Sequence, residues 1–368
     1  MSRLDEHVET VSLVDHHVHG CRLRGSNRRA FEHALNEANT EPLAPFDSAF
    51  DTQLGFAVLA HCAERLGLRP HVDADTYFDR RTEITEPELA RILLSAANVS
   101  DWLVDTGSAD GVADLAQMAA LSGAAAHEVV RLESVAVDAA LAYGDYAATF
   151  REMLHARAAA AVATTSILAC RGGFRGDLSE PTPAEVESAA ARWRDDGDPR
   201  LTDRVLARFG LHEALRLGKP LQLHAGFGGR DRDLHAANPL YLLDFLRGSG
   251  DTPIMLLHCY PYEREAGYLA QAFNNVYLDG GLAINHLGAR AAAFIGRLLE
   301  LAPFRKILYC SDGFGPAELH YLGARLWRNG IRDVLNAFVE RGEWAEADAI
   351  RVVDLIAHGN ARRVYGLD

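Results

Sequence analysis

Apolar residues along this chain fall into short runs, each followed by a longer stretch with helical spacing. The runs predict strands at Val11–Asp15, Trp102–Asp105, Val129–Leu132, Ala161–Ala169, Pro220–Leu223, Pro253–Leu257, Val276–Leu278 and Lys306–Cys310. Amphipathic segments predict helices at Glu185–Arg194, Asp203–Leu217, Pro239–Gly248, Glu263–Phe273 and Ala289–Leu301. Gly218-Lys219-Pro220 reads as a helix stop followed by a strand start. Repeated β-then-α units imply a parallel sheet, and eight of them imply an α/β fold of the closed (β/α)8 TIM-barrel type.

Two stretches interrupt the repeat. Cys21–Ser100 separates the first two strands and carries helical patterns at Phe31–Asn39, Asp51–Leu66 and Glu86–Asn98, so a helical insertion (21–100) is expected to form a lid or one wall of a pocket. After the last strand, Tyr321–Val339 and Ala345–Tyr365 read as closing helices, and Asp195–Pro199 as a polar turn. The whole chain, 1–368, is expected to be a single domain.

Composition narrows the partners. A formal net charge of −14 argues against nucleic acid or an anionic membrane surface. No run approaches the roughly 18 apolar residues a membrane helix needs, and no basic-then-apolar leader opens the chain. The five cysteines are odd in number and widely spaced, which predicts reduced thiols in a cytoplasmic protein.

Each predicted strand ends in an ionisable residue: His17 and His19, Asp105, Glu133, Arg171, His224, His258, Asp279 and Asp312. In a barrel these carboxyl ends meet on one face, where active sites are assembled. His17, His19, His224 and Asp312 offer three nitrogens and one oxygen, a set that suits Zn²⁺ and also accepts Mn²⁺ or Fe²⁺. His258 is then placed for acid/base work, and Asp312 to accept a proton from water. Structural readings stand beside these. Asp312 and Asp105-Thr-Gly suit turns, and Glu133 suits pairing with Arg131 or Arg171. His16 is expected to face away from His17.

The histidine and aspartate pattern resembles the amidohydrolase superfamily. Leu221-Gln-Leu-His-Ala-Gly-Phe-Gly228, Asp231-Arg-Asp-Leu234, Asn238-Pro-Leu240, Leu256-Leu-His-Cys-Tyr-Pro261, Val276-Tyr-Leu-Asp279 and Ser311-Asp-Gly313 with Tyr321-Leu-Gly-Ala324 narrow it to the amidohydrolase-2 group. Within that group they resemble the amidohydrolase domain of FluG and nodulin-type glutamine synthetase-like proteins. The resemblance implies one divalent metal held by His17, His19, His224 and Asp312, with His258 as the catalytic histidine, and hydrolysis of a C–N bond, with γ-glutamyl amides suggested by the fused relatives. Where relatives often carry a lysine on strand 4, this chain has Thr165. Its two lysines, Lys219 and Lys306, both fall near strand starts, so a lysine-bridged metal pair is not expected. A non-oxidative decarboxylase and a non-catalytic scaffold barrel are the alternatives. The expected substrate is a small, carboxylate-bearing molecule held by Arg171, with Glu133 and His320 as further contacts and Arg230 behind them. Arg22, Arg24, Arg28 and Arg29 fall just after the metal histidines, within reach of an anionic substrate, but the favoured reading is a solvated basic loop. A homodimer is expected by analogy with such barrels.

Overall fold

The computed structural model describes residues 2–107, 111–142, 144–196 and 200–367. Residues 197–199 of the expected polar turn lie outside the described residues. Seven strands run parallel in sequence order: β1 (Leu13–Val18), β2 (Val99–Asp105), β3 (Ala125–Arg131), β4 (Ala163–Ser166), β5 (Leu221–Ala225), β6 (Ile254–His258) and β7 (Val276–Leu278). The expected eighth strand, Lys306–Cys310, is the main departure. Its segment meets β7 through a single bridge, Leu278 to Ile307, and is otherwise an extended, irregular stretch. It still closes the ring. Leu308 N–H donates to the Leu278 carbonyl at 3.0 Å, and His16 N–H to the Tyr309 carbonyl at 3.3 Å. The irregularity has a local cause, because Tyr309 N–H turns out of the ladder to the Ile356 carbonyl.

Val14, Leu103, Val129, Ala163, Met255, Leu257 and Leu308 pack together from different staves. Ala361 and Tyr365 of the last helix, Asn360–Tyr365, and Leu367 just beyond it join this cluster. The end of the chain therefore plugs the barrel, while the strand tips carry polar side chains.

Helices cover the outside. Arg204–Leu217 starts at Asp203, whose carboxylate caps Val205 and Leu206, and ends at Gly218 with φ +67°, the left-handed stop its sequence predicts. A first helix, Arg3–Thr10, was not foreseen; Ser2 and Asp5 form its capping box, and Leu4 and Val8 are buried. It pushes the start of β1 from Val11 to Leu13. The insertion holds Arg28–Ala34, a continuous turn sequence from Gln53 to Arg65, Ala74–Thr82 and Glu86–Ala97. The last of these packs on the long helix Ala317–Glu340 as an ordinary barrel helix, so the true excursion ends before it. In the closing region, Glu346–Asp354 and Asn360–Tyr365 are separated by a wider turn, Leu355–Gly359.

Candidate metal centre and substrate cavity

β1 delivers more histidine than simple alternation allows. Its register against β2 slips between Asp15 and Val18, a bulge that lets His16 and His17 both turn inward. The expectation that His16 faces away is therefore corrected. His17 Nδ1 lies 2.7 Å from Gln222 Oε1, and His16 Nδ1 lies 2.9 Å from the hydroxyl of Tyr365, which also accepts from Gln222 Nε2 at 2.9 Å.

His17, His19, His224, His258 and Asp312 are brought together, all of them buried. Asp312 Oδ1 lies 3.4 Å from His17 Nε2 and 3.6 Å from His19 Nε2, and Asp312 Oδ2 lies 3.3 Å from His258 Nε2. His224 Nδ1 and His258 Nε2 are 3.1 Å apart. Two donors bound to one tetrahedral cation at 2.0–2.1 Å stand about 3.4 Å apart, so these spacings suit a shared ion. Further, His17 Nε2, His19 Nδ1, His224 Nε2, His258 Nδ1 and Asp312 Oδ1 are buried with no hydrogen-bond partner. Orphaned polar atoms at this density are costly unless something binds them. The residues present fit a divalent metal.

The electrostatics agree. Burial pushes the His17 imidazole down to about 4 and His19 to about 3, and drives His224 and His258 well below the usual histidine range. All four are neutral at pH 7, the form that binds metal. Burial, then the acids Glu37 and Asp279, hold the Asp312 carboxyl well above its ordinary value. A cation among these groups reverses that penalty. The backbone is also forced here: His258, Cys259 and Asp312 all have positive φ, of 70°, 56° and 49°. Non-glycine residues adopt that region at a cost, and such strain gathers at functional sites.

Asp105, read from sequence as a turn residue, does more. Its Oδ1 accepts from Gly107 N–H at 2.8 Å, as a turn requires. Its Oδ2 takes Arg131 Nη2 at 2.6 Å and Nε at 3.0 Å. It also stands within metal-sharing distance of His17 and His19. Burial alone would raise its carboxyl, but Arg131 and the two histidines hold it at about 2.

Above the histidines opens a cavity of about 390 Å³, with His19 and His224 in its wall. Among the described residues, Arg22, Arg131, Arg171, Arg230 and Arg232 line it against two acids, Glu37 and Asp231. Arg171 Nε and Arg232 Nε are buried without partners. The segment 21–100 supplies His33, Asn36, Glu37 and Asn39 to the lining. Arg22 lines the cavity instead of lying in a solvated loop.

Two expected contacts are placed elsewhere. Glu133 sits in the first turn of the helix Leu132–Leu141, not on a strand tip. Its Oε1 accepts from Ser166 Oγ at 2.6 Å and Ile167 N–H at 3.1 Å. It lines a neighbouring cleft that shares Arg131, Ile167 and Arg171 with the main cavity. His320 is fully buried and bonds the His19 carbonyl at 2.9 Å, so it braces a candidate ligand from behind. Lys219 and Lys306 bind the carbonyls of Ala161 and of Ala270 and Phe273, away from the histidines. Glu37, Arg232 and Gln222 were missed as site residues. A polar residue inside the buried run Leu221–Ala225, two positions before His224, was the available clue to Gln222.

A family profile described as amidohydrolase matches residues 86–367. Protein fluG of Emericella nidulans is 33% identical over 181 residues, 46% of this chain and 21% of that protein. The chain thus covers about a fifth of that relative's length. A crystal structure from Lactobacillus casei ATCC 334, provisionally named a metal-dependent hydrolase, superposes with TM-score 0.85 at 27% identity, over 100% of this chain and 98% of that one. A uronate isomerase from Bacillus halodurans C-125 shares the fold, with TM-score 0.66 at 15% identity over 99% and 96% of the two chains.

Proposed function

The chain belongs to the amidohydrolase family, and from that premise we propose that it is a metal-dependent hydrolase cleaving the C–N bond of a small, carboxylate-bearing amide. The observation that carries the reading is the cluster of His17, His19, His224 and Asp312, buried together with orphaned donor atoms on His17, His19, His224 and Asp312. These four would hold one divalent metal, with zinc the best match to three imidazoles and a carboxylate. When bound, such an ion supplies Lewis acidity and makes a water acidic enough to ionise near pH 7.

The chain's own groups do the rest. Asp312 takes the proton of the attacking water, a task open to a carboxylate that stands among the candidate ligands His17 and His19. His258, 3.3 Å from Asp312 Oδ2, steadies the developing oxyanion or relays the proton taken by Asp312 to the departing amine. Arg171 and Arg232, with buried and unpartnered Nε atoms, hold the substrate carboxylate. A cavity of about 390 Å³ suits a small molecule. A γ-glutamyl amide, the class that the sequence resemblance implies, meets these demands and is screened first.

The test is metal-reconstituted protein offered γ-glutamyl amides and small aromatic carboxylates, with products identified by mass. Release of an amine supports the hydrolase. Release of CO₂ replaces it with a decarboxylase on the same ligands. A protein that holds no stoichiometric ion after reconstitution with Zn²⁺ or Mn²⁺ is a scaffold instead.

A further inference from the structure

Beneath the metal candidates lies a second polar cluster that the proposed chemistry does not use. It consists of His16, Gln222, Asp279 and Tyr365, all buried, and each side-chain nitrogen and oxygen in it has a partner. With His16 neutral, the hydrogen bonds admit one assignment. Gln222 Nε2 lies 2.7 Å from the His16 carbonyl, an acceptor, so that atom is the amide nitrogen. Its second hydrogen goes to the Tyr365 hydroxyl at 2.9 Å. The hydroxyl, having accepted there, donates to His16 Nδ1 at 2.9 Å. His16 then carries its proton on Nε2 and gives it to Asp279 Oδ2 at 3.0 Å. Gln222 has only its carbonyl oxygen left for His17, so His17 is protonated on Nδ1, and Nε2 keeps its lone pair toward Asp312. Asp279 Oδ1 meanwhile accepts from the backbone N–H of His258 at 2.9 Å, at a residue held with positive φ.

We propose that Tyr365, in the last helical turn of the chain, is a positioning residue for the metal ligand His17, acting through Gln222 to fix the imidazole's tautomer and aim. The inference rests on the reading of His17 as a metal ligand. Partners behind a ligating histidine typically govern metal affinity by about 10–100-fold. Removing the hydroxyl leaves the Gln222 amide nitrogen held by the His16 carbonyl alone, one acceptor instead of two, and an amide that turns about its last bond presents N–H to His17 and favours the wrong tautomer.

The test compares Tyr365→Phe, which keeps the ring in the barrel plug, with Leu367→Ala, which thins the same plug without touching the relay. Zinc affinity is measured by competition with a chelator, and the melting temperature of each apo form is recorded. Tyr365→Phe is expected to weaken zinc at least about tenfold. Leu367→Ala is expected to lower the apo melting temperature while leaving zinc affinity within about twofold. Histidine nitrogen NMR of the apo forms gives a readout without metal: one His17 tautomer, protonated on Nδ1, in the natural chain, and a mixture in Tyr365→Phe. Unchanged zinc affinity in Tyr365→Phe overturns the proposal, as does a loss in both variants that simply follows melting temperature. A natural chain without stoichiometric zinc overturns the metal reading itself, before either variant is compared.

Discussion

Two adjacent histidines on one strand sit in opposite chemical states. His16 belongs to a cluster in which every side-chain donor and acceptor is used, tied by Asp279, Gln222 and Tyr365. His17, one residue on, belongs to a cluster with five orphaned atoms on five residues. Both clusters are buried, and both bring histidine and carboxylate within metal-sharing distance, the first together with Cys310. Proximity alone therefore does not mark a metal site. What separates them is satisfaction: a cluster already closed by hydrogen bonds gains little from an ion, while an open one carries a standing cost that an ion removes. The bulge between Asp15 and Val18 creates both clusters by turning neighbouring side chains inward.

The sharpest break in this comparison is His17→Ala. It should empty the chain of metal and abolish turnover, whereas the natural chain should hold one ion and not two. Metal analysis on dialysed protein decides this, and a second tightly held ion lost on mutation of Cys310 would show the closed cluster to be a metal site after all. Asp312→Asn should cut turnover by about 10²–10⁴-fold, the usual weight of a general base.

Acid should expose the open cluster next. His17 and His19 have folded values of about 4 and about 3, against about 6.5 in an unfolded chain. Below pH 6.5 the unfolded chain takes up protons that the native one refuses, so apo stability is intact above that pH. It then falls as the pH drops toward 3–4, by about 1.4 kcal/mol per pH unit for each histidine. Denaturant titrations of apo His17→Phe across this range should show a shallower slope than the natural chain. Equal slopes would mean that these imidazoles are not the groups resisting protonation. Arg171→Ala, outside both clusters, should lower kcat/KM by about 10–100-fold, carried by KM, as expected for a lost charge-assisted contact to a carboxylate.

The open cluster was legible in the sequence because strand tips are local. His17, His19, His224, His258 and Asp312 each follow an apolar run, and a barrel gathers such positions whatever the details of its strands. The eighth stave was misread as a strand for the same reason: Lys306–Cys310 has the apolar run, but its ladder is diverted by Ile356, a residue in another element. Glu133 was misplaced by one residue of boundary error, since β3 ends at Arg131 and Leu132 already opens the helix. The closed cluster was not legible. Tyr365 and Gln222 are 143 residues apart, and nothing local to either announces the other. Arg232 and Glu37 likewise reach one cavity from separate excursions of the chain.

His16→Ala is the smallest and most telling change. It removes the imidazole that accepts from Tyr365 and donates to Asp279 Oδ2, so two buried groups lose a partner. The expected loss of global stability is about 1–3 kcal/mol for stranded polar groups, read by denaturant unfolding of the apo protein. Metal stoichiometry should stay at one, because the contact that holds Gln222 at this residue is the backbone carbonyl of position 16, which alanine keeps. Substitution at 16 should therefore cost stability and spare the ion, and substitution at 17 should lose the ion. If alanine at 16 empties the site as completely as alanine at 17, the two clusters are one functional unit, and hydrogen-bond satisfaction does not distinguish scaffold from site in this barrel.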